Sequence, residues 1–408
     1  MKSALDYLLT ARRCEIAELE RLAGTSALVD TVARFIHALQ RERGMSNIFL
    51  ASHGERFAQL RLDQVVECDL LQDTAVHSFD AIAQDPAAVH NGARLFNRIA
   101  ITLDALDGLA LLRERIAARS LGPREATADF IRLIAGLLAV VFEAVDSASD
   151  PAISRALVAM FHFMQGKEYA GQERALGSAV FASGRIDAPG HQQWRHLIQQ
   201  QHVCLDVFKE YADAQVASAE LASNDHRTLV QVERLRRIGQ SLGTMPRAES
   251  LVDEWYECCT SRLDAMRGVE EVLGSHLRAL CASKIAMAHE SLRDEQATLE
   301  RLHHDAATQP PHAPSLIGPQ LERSVLDMVH DQARRLQQMG DELETTRTAL
   351  NERKLIERAK GLLMAHRHTT EEEAYRSLRQ MAMNQKRRIV EVAQAVLAMS
   401  EVLPSNPR

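Results

Sequence analysis

The sequence predicts an all-α protein, and three observations predict it. Ala, Leu, Arg, Glu and Gln dominate a chain of 408 residues in which aromatic residues make up only 4%. Few stretches rich in β-branched residues alternate with period two, whereas apolar residues return at steps of three and four along most of the length. A hydrophobic share of 46% and a charged share of 25% are those of a soluble globular chain with room for more than one core. The expected order is an N-terminal helical body of two bundles over residues 1–302, a proline-rich linker over 303–319, a coiled-coil-like helix over 320–350 and a three-helix module over 351–402.

The N-terminal stretch MKSALDYLLTARRCEIAELE carries charges inside its apolar pattern and has no signal-peptide core. The most apolar run, Leu133 to Phe142, is bounded by Arg132 and Glu143 and is too short to span a bilayer, so a cytoplasmic protein without membrane contact is expected. Turn signals at Ala23-Gly24-Thr25, Ser52-His53-Gly54, Asp85-Pro86, Gly122-Pro123, Asp150-Pro151, Pro189-Gly190 and Thr244-Met245-Pro246 divide the body into bundle helices. Six scattered cysteines, with no metal-type spacing, fit reduced core residues rather than a disulfide framework. Between His303 and Pro319 four prolines rule out a helix and mark a domain boundary; the three His there are irregularly spaced and fit a linker, not a metal site.

Beyond it, Val325, Val329, Gln332, Leu336, Met339, Leu343, Thr346 and Leu350 follow alternating steps of four and three. That seam could pair with a second copy, giving a homodimer, or dock on the body. In the last module Ile356, Ala359 and Leu363 share one helical face, as do Ala374, Leu378 and Met381, then Ile389, Val392, Ala393 and Val396. Thr370 and Glu373 form a capping box for the middle helix. Arg376, Arg379 and Met383 fall together opposite its core face, a candidate contact surface. From Asn351 onward eleven Lys/Arg face seven Asp/Glu, so a basic tail follows a body that holds the acidic excess of a chain at −7.

Arginines fall where a core belongs. The seam Val32, Ile36, Leu39, Arg43, Ser46, Leu50 includes Arg43; the seam from Ile153 to Phe181 includes Lys167 and Arg174; and the seam from Val252 to Leu273 includes Arg262. Arg234, Arg236 and Arg237, by contrast, flank a core pattern and read as surface residues. A guanidinium removed from water requires a carboxylate or a bound anion. Glu42 and Glu173 each precede an arginine by one residue, about 100° round the helix, and cannot easily serve it. Carboxylates from other helices and an anion ligand both remain open on these grounds.

Two resemblances bear on that choice. The stretches LQRERGMSNIFL and GKEYAGQERALGSAVFASG, with WYECCTSRLDAMRGVEEVL, are similar to the nitrate- and nitrite-sensing (NIT) domain over roughly residues 28 to 280. The blocks RKLIERAKGLLM and TTEEEAYRSLRQMAM, followed by the basic turn Lys386-Arg387-Arg388, resemble the ANTAR domain of bacterial transcription antiterminators. His366-Arg367-His368 stands where that family usually has a glycine. The resemblances imply a nitrate- or nitrite-controlled regulator whose tail binds a leader-RNA hairpin, with no cofactor and no catalysis. Nitrate is a planar oxyanion suited to the guanidinium fork, which makes Arg43 and Arg174 the first candidate ligands, then Arg41 and Arg262. Lys360, Arg376, Arg379, Met383, Lys386, Arg387 and Arg388 are the candidate RNA-binding residues. The alternative is a ligand-controlled DNA-binding regulator, since three small basic helices can imitate a helix-turn-helix.

Overall fold

The computed structural model describes residues 4–84, 92–146, 148–241, 249–308, 330, 334–344, 352, 355–356, 358–360, 362–363 and 371–402, and every described element is helical. In chain order these are α1 (Ala4–Ala51), α2 (Ala58–Gln84), α3 (Gly92–Asp107), α4 (Leu109–Ala117), α5 (Pro123–Asp146), α6 (Pro151–Ser183), α7 (Ala188–Tyr211), α8 (Ala214–Ser223), α9 (His226–Gln240), α10 (Glu249–Thr308), α11 (Glu371–Gln385) and α12 (Ile389–Val402).

Helix α6 is the axis of the body. It starts at Asp150, whose side chain accepts from the Ala152 and Ile153 amides at 3.0 Å, with Pro151 fitting the first turn where no N–H is needed. It ends at Gly184 with φ +66°, a left-handed cap that glycine adopts without Cβ strain. Between these caps almost every face is buried, charged side chains included, because the helix packs on α1, α5, α7 and α10.

Two hydrophobic cores share α6 and α10. The larger joins α1, α3, α5 and the N-terminal two thirds of α6 to α10 from Leu263 onward. The smaller surrounds Trp194 and Trp255, whose rings meet edge to face at 5.3 Å. A Cβ at Gly177 would lie 2.3 Å from the Trp255 ring, and one at Gly239 equally close to Trp194. Both positions need glycine because an indole occupies the place of the side chain.

Not every expected turn exists. Gly24 lies inside α1, which runs unbroken to Ala51, because Leu22, Leu28 and Val29 continue its buried stripe through the turn signal. The signals at 85–86 and 244–246 lie outside the described residues, while those near 52–54, 122–123, 150–151 and 189–190 coincide with helix ends. Helix α10 continues to Thr308, past the start of the stretch read as linker; the prolines of that stretch lie outside the described residues. In the coiled-coil-like segment the described residues 334–344 are helical, and Arg335 pairs with Glu15 of α1 at 2.9 Å.

The last module closes on Ala359, Leu363, Ala374, Leu378, Ala382, Val392 and Ala393, with Ile356, Met381, Ile389 and Val396 at its edge, the faces read from the sequence. Thr370 of the capping box lies outside the described residues. The turn between α11 and α12 is a Schellman motif. Lys386 has φ +52°, its N–H donates to Met383, and the Arg387 N–H donates to Ala382 at 3.0 Å. Among the described residues no helix is long and apolar enough to cross a membrane.

Candidate functional site

Where α1 crosses α6 and α10, the seam cations converge. Arg43, 1% exposed, donates Nη1 to Glu168 Oε1 at 2.5 Å and Nη2 to Oε2 at 3.2 Å. Gln40 and Gln172 each donate a further amide hydrogen bond to that carboxylate at 2.9 Å. Arg43 is therefore neutralised by a carboxylate from another helix.

Arg174, 3% exposed on the next turns of α6, is not. Its Nη2 donates to the Gln40 carbonyl and its Nη1 to the Thr260 hydroxyl, both at 2.9 Å, and the guanidinium lies 5.1 Å from the Tyr256 ring centre. Among the described residues it makes no ion pair. Burial pushes its pKa down; Tyr256 opposes that shift and the nearby charge of Arg43 adds to it.

The two arginines exchange places on two glycines. A Cβ at Gly44 of α1 would lie 2.5 Å from Arg174 Nη2, and a Cβ at Gly171 of α6 would lie 2.5 Å from Arg43 Nη2. Each guanidinium rests on bare backbone of the opposite helix, an approach no larger residue allows. The same face of α1 also holds buried polar atoms without a partner: Arg43 Nε, Ser46 Oγ and Gln40 Oε1. An unpaired buried donor costs about 1–3 kcal/mol, so Arg43 Nε and the Ser46 hydroxyl each favour an acceptor, and Gln40 Oε1 a donor.

Paired charges flank this spot. Lys167 bonds Glu270, which also receives Arg267 at 3.3 Å, and the Lys167 amino group stands 3.4 Å from His37 Nδ1. Burial, with the charges of Lys167 and Arg267, lowers the His37 pKa to about 2, which keeps its ring neutral. Glu173 receives Arg236 at 2.7 and 2.6 Å, Trp194 Nε1 at 2.9 Å and Gln201 at 2.8 Å. Burial opposes its ionisation, and Arg236, Arg262 and the Gln201 hydrogen bond outweigh that, so its pKa is lowered. Glu42 receives Arg113 at 2.8 and 2.9 Å. On this seam Arg43 pairs with Glu168, and Lys167 shares Glu270 with Arg267, while Arg174 makes no ion pair among the described residues.

The structure thus brings Arg43 and Arg174 together and sets the other two candidate ligands elsewhere. Arg41 points to α2 and pairs with Glu67 at 3.2 Å near the surface. Arg262 bonds Gln201 at 2.9 Å beside Glu173, in the neighbouring cluster. Arg236 corrects the surface reading of its segment: only 9% exposed, it is the principal partner of Glu173, 63 residues earlier. Val232, Arg236 and Gly239 form a buried stripe, the one sequence signal for it. Glu168, Gln40, Thr260 and Tyr256 were not singled out by sequence, although Gln40 and Arg43 share a helix face and Glu168 lies in the KEYAGQERA stretch.

On the C-terminal module Arg376, Arg379 and Met383 are exposed, Met383 by 65%. Lys386, Arg387 and Arg388 are exposed in the turn, Arg387 beside Glu391 at 3.4 Å and Arg388 paired with Glu352 at 2.7 Å. Lys360 departs from this set. It is 3% exposed and lies 6.0 Å from the Tyr375 ring centre, inside the module. Helix α11 faces α7 of the body: the Tyr375 and His196 rings are 5.6 Å apart, and Glu373 and Arg376 line a cleft of about 620 Å³ with residues of α1, α5, α6 and α7.

One chain thus joins a helical body with a buried charged seam to a small helical module with a basic face, the arrangement of a regulator with a sensing and an effector part, and the comparisons with known proteins agree. Residues 34–278 match the NIT family, described as nitrate and nitrite sensing, and residues 344–397 match the ANTAR domain. The chain is 35% identical to the nitrate regulatory protein of Klebsiella oxytoca over 408 residues, 99% of this chain and 97% of that one. The solved structure of the NasR transcription antiterminator superposes with a TM-score of 0.61 at 33% identity, covering 98% of this chain and 99% of that chain. The protein belongs to the nitrate regulatory family that joins a NIT domain to an ANTAR domain.

Proposed function

We propose that nitrate or nitrite binds between α1, α6 and α10 with Arg174 as its main ligand, and that binding controls whether the C-terminal module engages a leader-RNA hairpin in transcription antitermination. The observation that carries the reading is a guanidinium buried to 3% with no carboxylate partner among the described residues, next to orphaned donors on Arg43 and Ser46. A monovalent planar oxyanion matches the fork of Arg174 and balances its charge without displacing Glu168 from Arg43.

The same turns that hold this seam also shape the cleft that receives α11. Asn47, four residues after Arg43, and Tyr169, Gln172 and Ala175, which surround Glu168 and Arg174 on α6, line that cleft opposite Glu373 and Arg376. A shift of α1 against α6 on anion binding alters the seat of α11 and frees Arg376, Arg379 and Met383. Hairpin RNA is read chiefly at its unpaired loop, a role for Arg379 and Met383, while the Lys386–Arg388 turn meets phosphates. Dimerisation through Leu336, Met339 and Leu343 is part of the same reading.

Linkage tests it. If the anion and the RNA favour the same arrangement, RNA must tighten nitrate binding by the factor by which nitrate tightens RNA binding. Titrating nitrate into the full chain with and without saturating hairpin, at constant ionic strength, gives equal factors. A coupling factor of one, with nitrate affinity the same in the presence and absence of hairpin, or equal binding of the hairpin and of duplex DNA of the same sequence, overturns the reading.

A further inference from the structure

Beside the α7–α11 contact lies a second, smaller cavity of about 280 Å³, lined by Gln192, Arg195, His196, Gln199, Tyr375, Arg376 and Arg379. Its lining contains three guanidiniums, an imidazole and two amides, and no carboxylate among the described residues. Arg195 comes from the body and Arg379 from the module, and neither makes an ion pair among the described residues. Packing α11 against α7 therefore brings the exposed guanidiniums of Arg195 and Arg379 to one small space, a solvent-screened repulsion that a counter-charge between them relieves. Arginine forks from two helices, with the amides of Gln192 and Gln199 beside Arg195 on α7, suit an oxyanion that carries several charges and oxygens at more than one point, as a diphosphate does.

We propose that this cavity is a polyphosphate site, filled by a free diphosphate or by the phosphates of a nucleotide, and that its occupant clasps α11 to α7. The site is separate from the proposed nitrate seam. Its residues differ, and its ligand bridges body and module instead of entering the body. The cavity shares Gln192, His196 and Arg376 with the larger cleft, which lies in reach of a nucleoside attached to the phosphates. A ligand that binds only the clasped arrangement weakens RNA binding by one plus its concentration over its Kd, by mass action.

Calorimetric titration of the full chain with inorganic pyrophosphate, in the absence of RNA and nitrate, tests the site independently of the proposed function. Saturable binding of one pyrophosphate per chain is expected. Arg195→Gln should weaken it at least tenfold, and Gln199→Glu, which puts a carboxylate in the lining, should do likewise; both positions are solvent-exposed on α7, so the fold tolerates them. ATP binding more tightly than pyrophosphate identifies a nucleotide as the source, and equal binding identifies free polyphosphate. Binding that fails to saturate, or that keeps the same affinity in both variants, overturns the proposal and reduces the cavity to a general counter-ion cloud.

Discussion

The segments around Arg43 and Arg174 share a pattern, a glutamate, an arginine and then a small residue, and each arginine rests on a glycine of the opposite helix. Their electrostatics diverge. In both, the preceding glutamate is drawn off by another helix, Glu42 to Arg113 and Glu173 to Arg236. Arg43 then donates to Glu168, while Arg174, among the described residues, donates to a carbonyl and a hydroxyl and lies over a ring. Burial is nearly the same at the two positions, so depth does not separate an ion-paired arginine from one that makes no ion pair among the described residues. The carboxylate within reach does.

The comparison breaks most readily at Arg43. Arg43→Ala leaves Glu168 buried and uncompensated, and the expected cost is about 3–5 kcal/mol, read as a fall in the urea midpoint. Arg174→Met removes a charge that nothing balances and should cost less than half as much. Equal losses would mean that the two arginines do the same structural work.

Nitrate affinity sharpens the contrast in the opposite sense. Arg174→Met should reduce it at least a hundredfold, with Arg174→Lys no better, because a point ammonium lacks the fork. Calorimetry on a folded Arg174→Met chain that still binds nitrate normally would remove Arg174 from the site.

Protonation gives a smaller effect. His37 is held well below its ordinary value of 6.5, so its contribution to stability is full above pH 6.5 and is lost as the pH falls below it toward about 2. One such group supplies at most about 1.4 kcal/mol per pH unit. His37→Gln should flatten the stability profile between pH 6.5 and 5, measured by thermal unfolding, and an unchanged slope would place the acid sensitivity elsewhere.

The glycines give the smallest effect. Gly44→Ala pushes on Arg174 and Gly171→Ala on Arg43, each at the far end of a flexible side chain. The overpacking cost of about 1–3 kcal/mol is offset by about 1 kcal/mol of helix propensity. Gly44→Ala should weaken nitrate binding more than stability, and Gly171→Ala the reverse, when both are assayed by calorimetry and urea unfolding.

Much of this was legible in the sequence, for local reasons. Helical periodicity set the fold class and the faces of the last module, and seam positions exposed Arg43, Lys167 and Arg174 as buried cations. What periodicity omits is the partner. That Glu168 serves Arg43 depends on how α1 and α6 cross, 125 residues apart, and no helical wheel contains it. Arg236 was misread for the same reason, since its carboxylate lies on α6. Gly24 was misread from a different cause: a turn residue was weighed above the apolar stripe that carries the helix through it. Lys360 shows a third, since a basic residue in a basic module is not thereby on its surface.

The pairing of the first and last helices of the body bears on how the chain comes to be folded. Arg12 bonds Glu295 at 3.0 Å, Ser26 meets Cys281 at 3.6 Å and Arg278 bonds Asp30 at 2.9 Å, so α1 packs against a helix that leaves the ribosome up to 283 residues later. At about 5–20 residues per second, synthesis keeps these partners apart for roughly 15–60 s. During that interval the leucine and phenylalanine stripe of α1 is covered chiefly by α2, α5 and α6. The face of α1 that meets α10 is therefore completed only after α10 has been made, and the body closes late in synthesis.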